Sequence, residues 1–170
     1  MTERMEEALN KQLNAELYSA YMYLSMTAWF EAMNLDGFAS WMKAQALEET
    51  EHAMKFYNFI NERGGRVRLM PIEGPPTDWD SPVDVFEAAY KHEQRVTGLI
   101  NDLVDLAIQE KDHATQIFLQ WFVTEQVEEE ASFSAILEKL RMVGESPGPL
   151  FMMDRELGQR RVNLPVASNP

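Results

Sequence analysis

Glu49 and His52 stand three positions apart, a spacing that puts a carboxylate and an imidazole side by side on one face of a helix. Such a pair can bind one cation together. Seven-residue steps along the chain show where other groups of this kind fall. Leu9, Glu16, Tyr23 and Phe30 form one row. Met42, Glu49 and Phe56 form another, with Phe38, Gln45, His52 and Phe59 beside it. Phe86, Glu93, Ile100 and Ala107 make a third, and the last stretch carries two, Leu119-Gln126-Phe133-Leu140 and Phe122-Glu129-Ile136-Val143. Apolar residues at this repeat are the seams by which helices pack. Each seam here is interrupted by polar residues near its middle. Helices of similar length packed side by side align their midpoints, so the pattern predicts Glu16, Glu49, His52, Glu93, Gln126 and Glu129 together inside one bundle.

Four carboxylates in an apolar interior cannot all stay ionised unaided, because burying one ionised carboxylate costs several kcal/mol even after relaxation. Either they protonate or cations neutralise them. No Lys or Arg lies on these seams at that level. Hard oxygen ligands with one imidazole suit a pair of divalent, iron-type ions. A second acidic group adjoins the first: Glu48 precedes Glu49, and Glu125, Glu128 and Glu129 share a helix face. A third, weaker ion position is expected there. Plainer readings hold for single features. A lone Glu-x-x-His arises often by chance, Glu128-Glu129-Glu130 alone would be a solvated face, and Gln126 alone a satisfied polar contact. Tyr23 reads most simply as a core aromatic with its hydroxyl paired, and Trp121 and the methionines as packing. His92 points about 100° away from Glu93 on a helix and is expected at the surface, as is His113. Chance does not explain the coincidence on all four helices at one height.

The elements that must position these groups lie between breaks rich in Gly and Pro, at 34–37, 64–82 and 144–149. Helices are expected at 3–33, 38–63, 83–110, 113–142 and 148–158. Asp36-Gly37, Ser81-Pro82 and Ser146-Pro147 serve as start signals and Gly144 as a stop. The division at Lys111-Asp112-His113 has no Gly or Pro and follows from length and charge. The first two helices are joined by a short turn and must be antiparallel neighbours. The second and third are joined by a connection long enough to run the length of a bundle. The fold class is therefore all-α: a four-helix bundle, up-down-down-up with a long crossover, plus a short fifth C-terminal helix. Residues 1–158 make one domain and 159–170 a flexible tail. Leu17 to Phe30 contains no charged residue. The run is too short for a membrane span, and a helix apolar all round is buried all round. A second subunit is expected to pack on it.

Composition narrows the function further. The 170 residues carry 15 Lys+Arg against 28 Asp+Glu, a net charge of −13, which disfavours nucleic acid and anionic membranes as partners and suits cations. With no cysteine, disulfides, zinc fingers, thiolate catalysis and iron–sulfur clusters are excluded, and three histidines leave almost no room for a multi-His metal site. The N-terminus, MTERMEEALN, is not a signal peptide, so a cytoplasmic location is expected.

The chain resembles the non-haem ferritins of bacteria and archaea. The likeness runs through NAELYSAYMYL (14–24), EETEHAMKF (48–56), YKHEQ (90–94), FLQWFVTEQVEEEASF (118–133) and LFMMDREL (150–157), nearly the whole chain. The resemblance implies an intrasubunit ferroxidase centre that takes iron and dioxygen or peroxide. Glu16, Glu49 and His52 match its first iron position. Bridging Glu49, with Glu93 and Glu129, matches the second, and Gln126 lies close by. Glu48, Glu125, Glu128 and Glu129 match a third, Tyr23 the tyrosine beside the centre, and Trp121 a nearby tryptophan. The resemblance also implies a homo-oligomeric shell of 24 subunits. Gln126-x-x-Glu129 replaces the second Glu-x-x-His of bacterioferritin and rubrerythrin. Thr50 stands where bacterioferritin has its haem-ligating Met, so no haem is expected. Two other functions share these features: a di-iron oxidase that stores nothing, and a four-helix binding protein whose acids have no catalytic role.

Overall fold

Thr2 opens the first helix, α1 (Glu3–Ala32), by accepting the Met5 amide at 3.1 Å. In the computed structural model, which describes residues 1–162, there follow α2 (Asp36–Glu62), α3 (Pro82–Gln109), α4 (His113–Val143) and the short α5 (Pro147–Leu157). Each lies within a couple of residues of its expected bounds, and no strand occurs among the described residues. Ser81 caps α3 through the Asp84 amide, with Pro82 as the first helical residue. Gly144 ends α4 at φ +57°. The start of α2 differs from expectation. Its cap is Leu35, which offers no side-chain hydrogen bond, and Asp36 is already helical. The missing acceptor comes from α5, where Asp154 Oδ1 takes the Phe38 amide at 3.0 Å.

The α3–α4 junction turns without glycine because Lys111 adopts the left-handed region at φ +56°. Asp112 then caps α4 through the Thr115 amide at 3.1 Å, and Arg63 at the end of α2 grips Asp112 at 2.9 Å.

Pairings across the helices give the topology. Tyr23 meets Glu93 and Phe30 meets Phe86, so α1 and α3 are antiparallel. Gln45 meets Glu129 and Phe56 meets Phe118, so α2 and α4 are antiparallel. With α1 and α2 joined by a tight turn, the order is up-down-down-up. The crossover 63–81 is tied along α1. The Asn10 side chain donates to Arg66 O at 3.0 Å and accepts from the Arg68 amide at 2.7 Å, while Ser25 donates to Pro76 O at 2.6 Å.

The apolar interior is divided in two. One cluster joins Tyr23, Phe30, Phe38, Phe86 and Phe133 with α5 residues Met153 and Leu157. The other joins Leu9, Leu13, Phe56, Ile100, Leu119 and Phe122. A polar layer separates them. Among the described residues, no helix is long and apolar enough to cross a membrane. Of the expected tail, residues 159–162 are described, and Arg160 there is tied back to α2. Residues 163–170 lie outside the described residues.

Candidate metal centre

The polar layer consists of Glu16, Glu49, His52, Glu93, Gln126 and Glu129, each at most 5% exposed. Every long helix contributes at least one of them, from the middle of its length. Their ligand atoms form three overlapping groups, in each of which the atoms lie within 4.8 Å of one another: Glu16-Glu49-His52, Glu49-Glu93-Glu129, and His52-Glu125-Glu129. Glu49 belongs to the first two, so its carboxylate can bridge them. His52 Nδ1 lies 3.2 Å from Glu49 Oε2 and 3.8 Å from Glu16 Oε2, and His52 Nε2 lies 3.8 Å from Glu125 Oε1. The imidazole is flanked edge-on by Trp121 and Phe122.

The electrostatics of this layer are unfavourable without a cation. Burial, reinforced by neighbouring carboxylates, drives Glu16 and Glu49 well above the usual carboxylate range. Burial also raises Glu93, although hydrogen bonds from Tyr23 and Gln126 oppose it. Burial and the adjacent Glu93 push Glu129 up to about 8. One acceptor, Glu16 Oε2, is buried with no hydrogen-bond partner. Native interiors seldom leave such an atom unsatisfied, and it lies beside His52 and Glu49. Hard oxygen donors with one imidazole, one of them orphaned and several shared between groups, fit a pair of divalent cations.

A set of donors holds the carboxylates in place. Gln12 donates to Glu16 Oε1 at 2.7 Å, and Gln45 to both Glu49 Oε1 at 3.1 Å and Glu129 Oε2 at 2.7 Å. The Tyr23 hydroxyl donates to Glu93 Oε1, and Gln126 Nε2 to Glu93 Oε2 at 3.0 Å. Gln126 therefore enters the layer as a donor to Glu93. Burial and the facing Glu93 hold the Tyr23 phenol well above its usual range, so it stays protonated. Sequence reasoning does not single out Gln12 and Gln45 as site residues. Each lies four residues before a site glutamate on the same helix face, and that spacing is the available signal.

The layer opens at one side into a cleft of about 800 Å³ between α2 and α4, lined by Glu48, Glu51, His52, Glu125, Glu128, Glu129 and Arg160 among others. Of the acids expected at a third position, Glu125 and Glu129 join a ligand group. Glu48 and Glu128 line the cleft without joining one, and Glu48 is paired with Arg160 at 2.6 Å. His113 is exposed as expected. His92 is less exposed than expected. It is partly buried, 2.8 Å from Ser19 Oγ and packed against the rings of Tyr18 and Tyr23. The direction 100° from Glu93 on α3 leads under α1, and burial lowers the imidazole to about 4.

Residues 6–143 match the Ferritin-like domain family. The chain belongs to the non-haem ferritin family. A bacterial non-haem ferritin of Bacteroides fragilis is 44% identical over 160 residues, 94% of this chain and 99% of the relative. Another, of Campylobacter jejuni, is 40% identical over 155 residues, 91% of this chain and 93% of the relative. Among solved structures, an open-pore ferritin from the hyperthermophilic archaeon Archaeoglobus fulgidus is 55% identical and superposes with a TM-score of 0.94, covering 95% of this chain and 99% of that one. A humanised archaeal ferritin is 52% identical with a TM-score of 0.96, covering 96% and 99%. Within this ferritin, the ligand groups bring together six residues read from the sequence, namely Glu16, Glu49, His52, Glu93, Glu125 and Glu129.

Proposed function

We propose that this ferritin stores iron, oxidising Fe(II) to Fe(III) at an intrasubunit di-iron centre and holding the ferric product as mineral inside a hollow homo-oligomeric shell of 24 copies. The observation that carries the reading is the pair of ligand groups that share Glu49 in the middle of the bundle. Glu16, Glu49 and His52 hold one Fe(II), and Glu49, Glu93 and Glu129 the other. Two Fe(II) each lose one electron, and dioxygen with two protons is reduced to peroxide; peroxide is the alternative oxidant. Carboxylate oxygens favour the harder Fe(III) and so assist the oxidation. Tyr23 and Gln126 hold Glu93 and Gln12 holds Glu16, so the ligands are placed before iron arrives. Tyr23 acts there as a hydrogen-bond donor to a ligand. Glu125 and Glu129, with Glu48 and Glu128 on the cleft wall, provide a third and weaker position through which iron passes. No haem takes part, and the protein works in the cytoplasm.

Aerobic addition of Fe(II) to the metal-free protein tests this reading. A fast oxidation phase well above the buffer rate is expected. Glu49→Ala and His52→Ala should slow it by at least about 100-fold, the top of the 10–100-fold range typical when only a group supporting a ligand is lost, while the assembly survives. Unchanged kinetics in both variants would remove the site. A purified particle near the 19.6 kDa of one chain would sink the storage reading and leave an oxidase that stores nothing.

A further inference from the structure

We propose that Arg160 is a positioning residue for the second iron position and acts through Gln45. The inference rests on the reading that Glu49, Glu93 and Glu129 form that position.

Arg160 lies just past the end of α5, which is itself locked to the start of α2 by Asp154. The docked helix brings the guanidinium alongside α2. There Nη1 donates to Trp41 O at 3.1 Å, and Nη2 donates to Gln45 Oε1 at 2.9 Å and Glu48 Oε2 at 2.6 Å. The guanidinium carbon also sits 4.2 Å from the centre of the Trp41 ring. Four contacts to three residues fix the group, so its direction is set by the fold.

A guanidinium has donors and no acceptor. Its contact with Gln45 therefore requires the amide oxygen on that side. The amide NH2 must then face the opposite way, where it meets Glu49 Oε1 and Glu129 Oε2. Rotating the amide by half a turn would set its oxygen against two carboxylates and its NH2 against a cation, which is unfavourable on both sides. Arg160 thus sets the polarity of Gln45. Gln45 in turn clamps two mutually repelling carboxylates from different helices, both of them ligands of the second group. The first group meets Gln45 only through Glu49. A change at Arg160 should therefore weaken the second position and spare the first.

Anaerobic titration of the metal-free assembled protein with Co(II), followed by visible ligand-field absorption and by calorimetry, tests this without any turnover. The unsubstituted protein is expected to bind two ions in two tight steps, ahead of weaker uptake at the third position. Arg160→Gln should weaken the second step by about 10-fold, in the range seen when a group supporting a metal ligand is lost, and leave the first within about twofold. Gln45→Leu should do the same. Arg160→Gln added to Gln45→Leu should cost nothing further, because coupled residues are non-additive. Arg160→Lys keeps a donor-only cation but loses the forked, ring-stacked geometry, so its second step should fall between the unsubstituted protein and the Gln variant. The proposal is overturned if Arg160→Gln leaves the second step unchanged, if its effect is equally large in the Gln45→Leu background, or if the Lys variant is as weak as the Gln variant. If the unsubstituted protein takes up only one ion, the two-position reading of the site falls and this inference with it.

Discussion

Burial pushes the carboxyls of the candidate metal layer upward, so without metal they favour protons, and that fixes the sign of their pH dependence. Glu16, Glu49, Glu93 and Glu129 all have carboxyls raised above the ordinary 4.5, chiefly by burial. Each binds its proton more tightly folded than unfolded. Stability from these groups is therefore complete below pH 4.5 and is lost as pH rises, through about 8 for Glu129. The melting temperature of the metal-free protein should fall between pH 5 and pH 8, and less steeply in Glu129→Gln. A bound divalent cation takes the place of the protons, so its binding should release protons in a pH-stat and flatten the profile. A melting temperature that is level or rising over that range would contradict the arrangement. At this scale the ligands themselves are legible, because a carboxylate interrupting an apolar seam is conspicuous. Their supports are less so. Gln12 and Gln45 share the register but carry no charge to mark them, and Arg160 lies beyond the last periodic segment, where no pattern ties it to α2. His92 departs from its expected surface position because a single helix wheel separates it from Glu93 without showing that α1 covers that direction.

Among the elements, α5 is the one whose place depends on few contacts. Gly37 lies against its backbone so closely that an added Cβ would sit 1.6 Å from Asp154 O, and Asp154 Oδ1 supplies the cap that Leu35 cannot. Asp154→Ala should cost about 1 kcal/mol, the ordinary worth of a helix cap. Gly37→Ala should cost more, about 2–3 kcal/mol, because α5 must move to make room. Both follow from denaturant unfolding, and hydrogen exchange should show α5 opening first in Gly37→Ala. A Gly37→Ala protein as stable as the parent would mean that α5 shifts freely. Because α5 carries Arg160 to Gln45, Gly37→Ala should also weaken the second Co(II) step, linking a helix contact to the metal layer. The helix bounds are legible from Gly, Pro and cap residues. What is not legible is that Asp36 does not cap α2. The real acceptor is distant in sequence and is brought there only by the docking of α5.

At the scale of the whole molecule, the uncharged run Leu17–Phe30 leads to the last prediction. Half of its face closes the bundle through Met22, Tyr23, Met26 and Phe30, all buried. The other half does not. Tyr21 and Leu24 are about half exposed, at 49% and 50%, and Leu47 on α2 is 42% exposed beside them. Together with Leu17, Ala46 and Ile72 they line a groove of about 410 Å³ whose walls are mostly apolar side chains. Single exposed apolar residues need no explanation, but contiguous ones along two helices mark a surface that is covered in the working protein. The proposed shell supplies the cover as a second copy of the same face, since paired identical surfaces are the commonest closed contact in homo-oligomers. Leu24→Glu with Leu47→Glu places charges where that copy would sit, at two residues that belong to none of the ligand groups. Sedimentation should show the variant as particles far smaller than the parent. Its fast Fe(II) oxidation per chain should stay within about twofold, because the proposed centre is built from one chain's residues, whereas the iron retained per chain after desalting should fall by at least about tenfold. Loss of retention with oxidation intact would separate storage, a property of the shell, from oxidation, a property of the bundle. Full retention in small particles would show that iron is held by the bundle itself, and the shell would then have no part in storage.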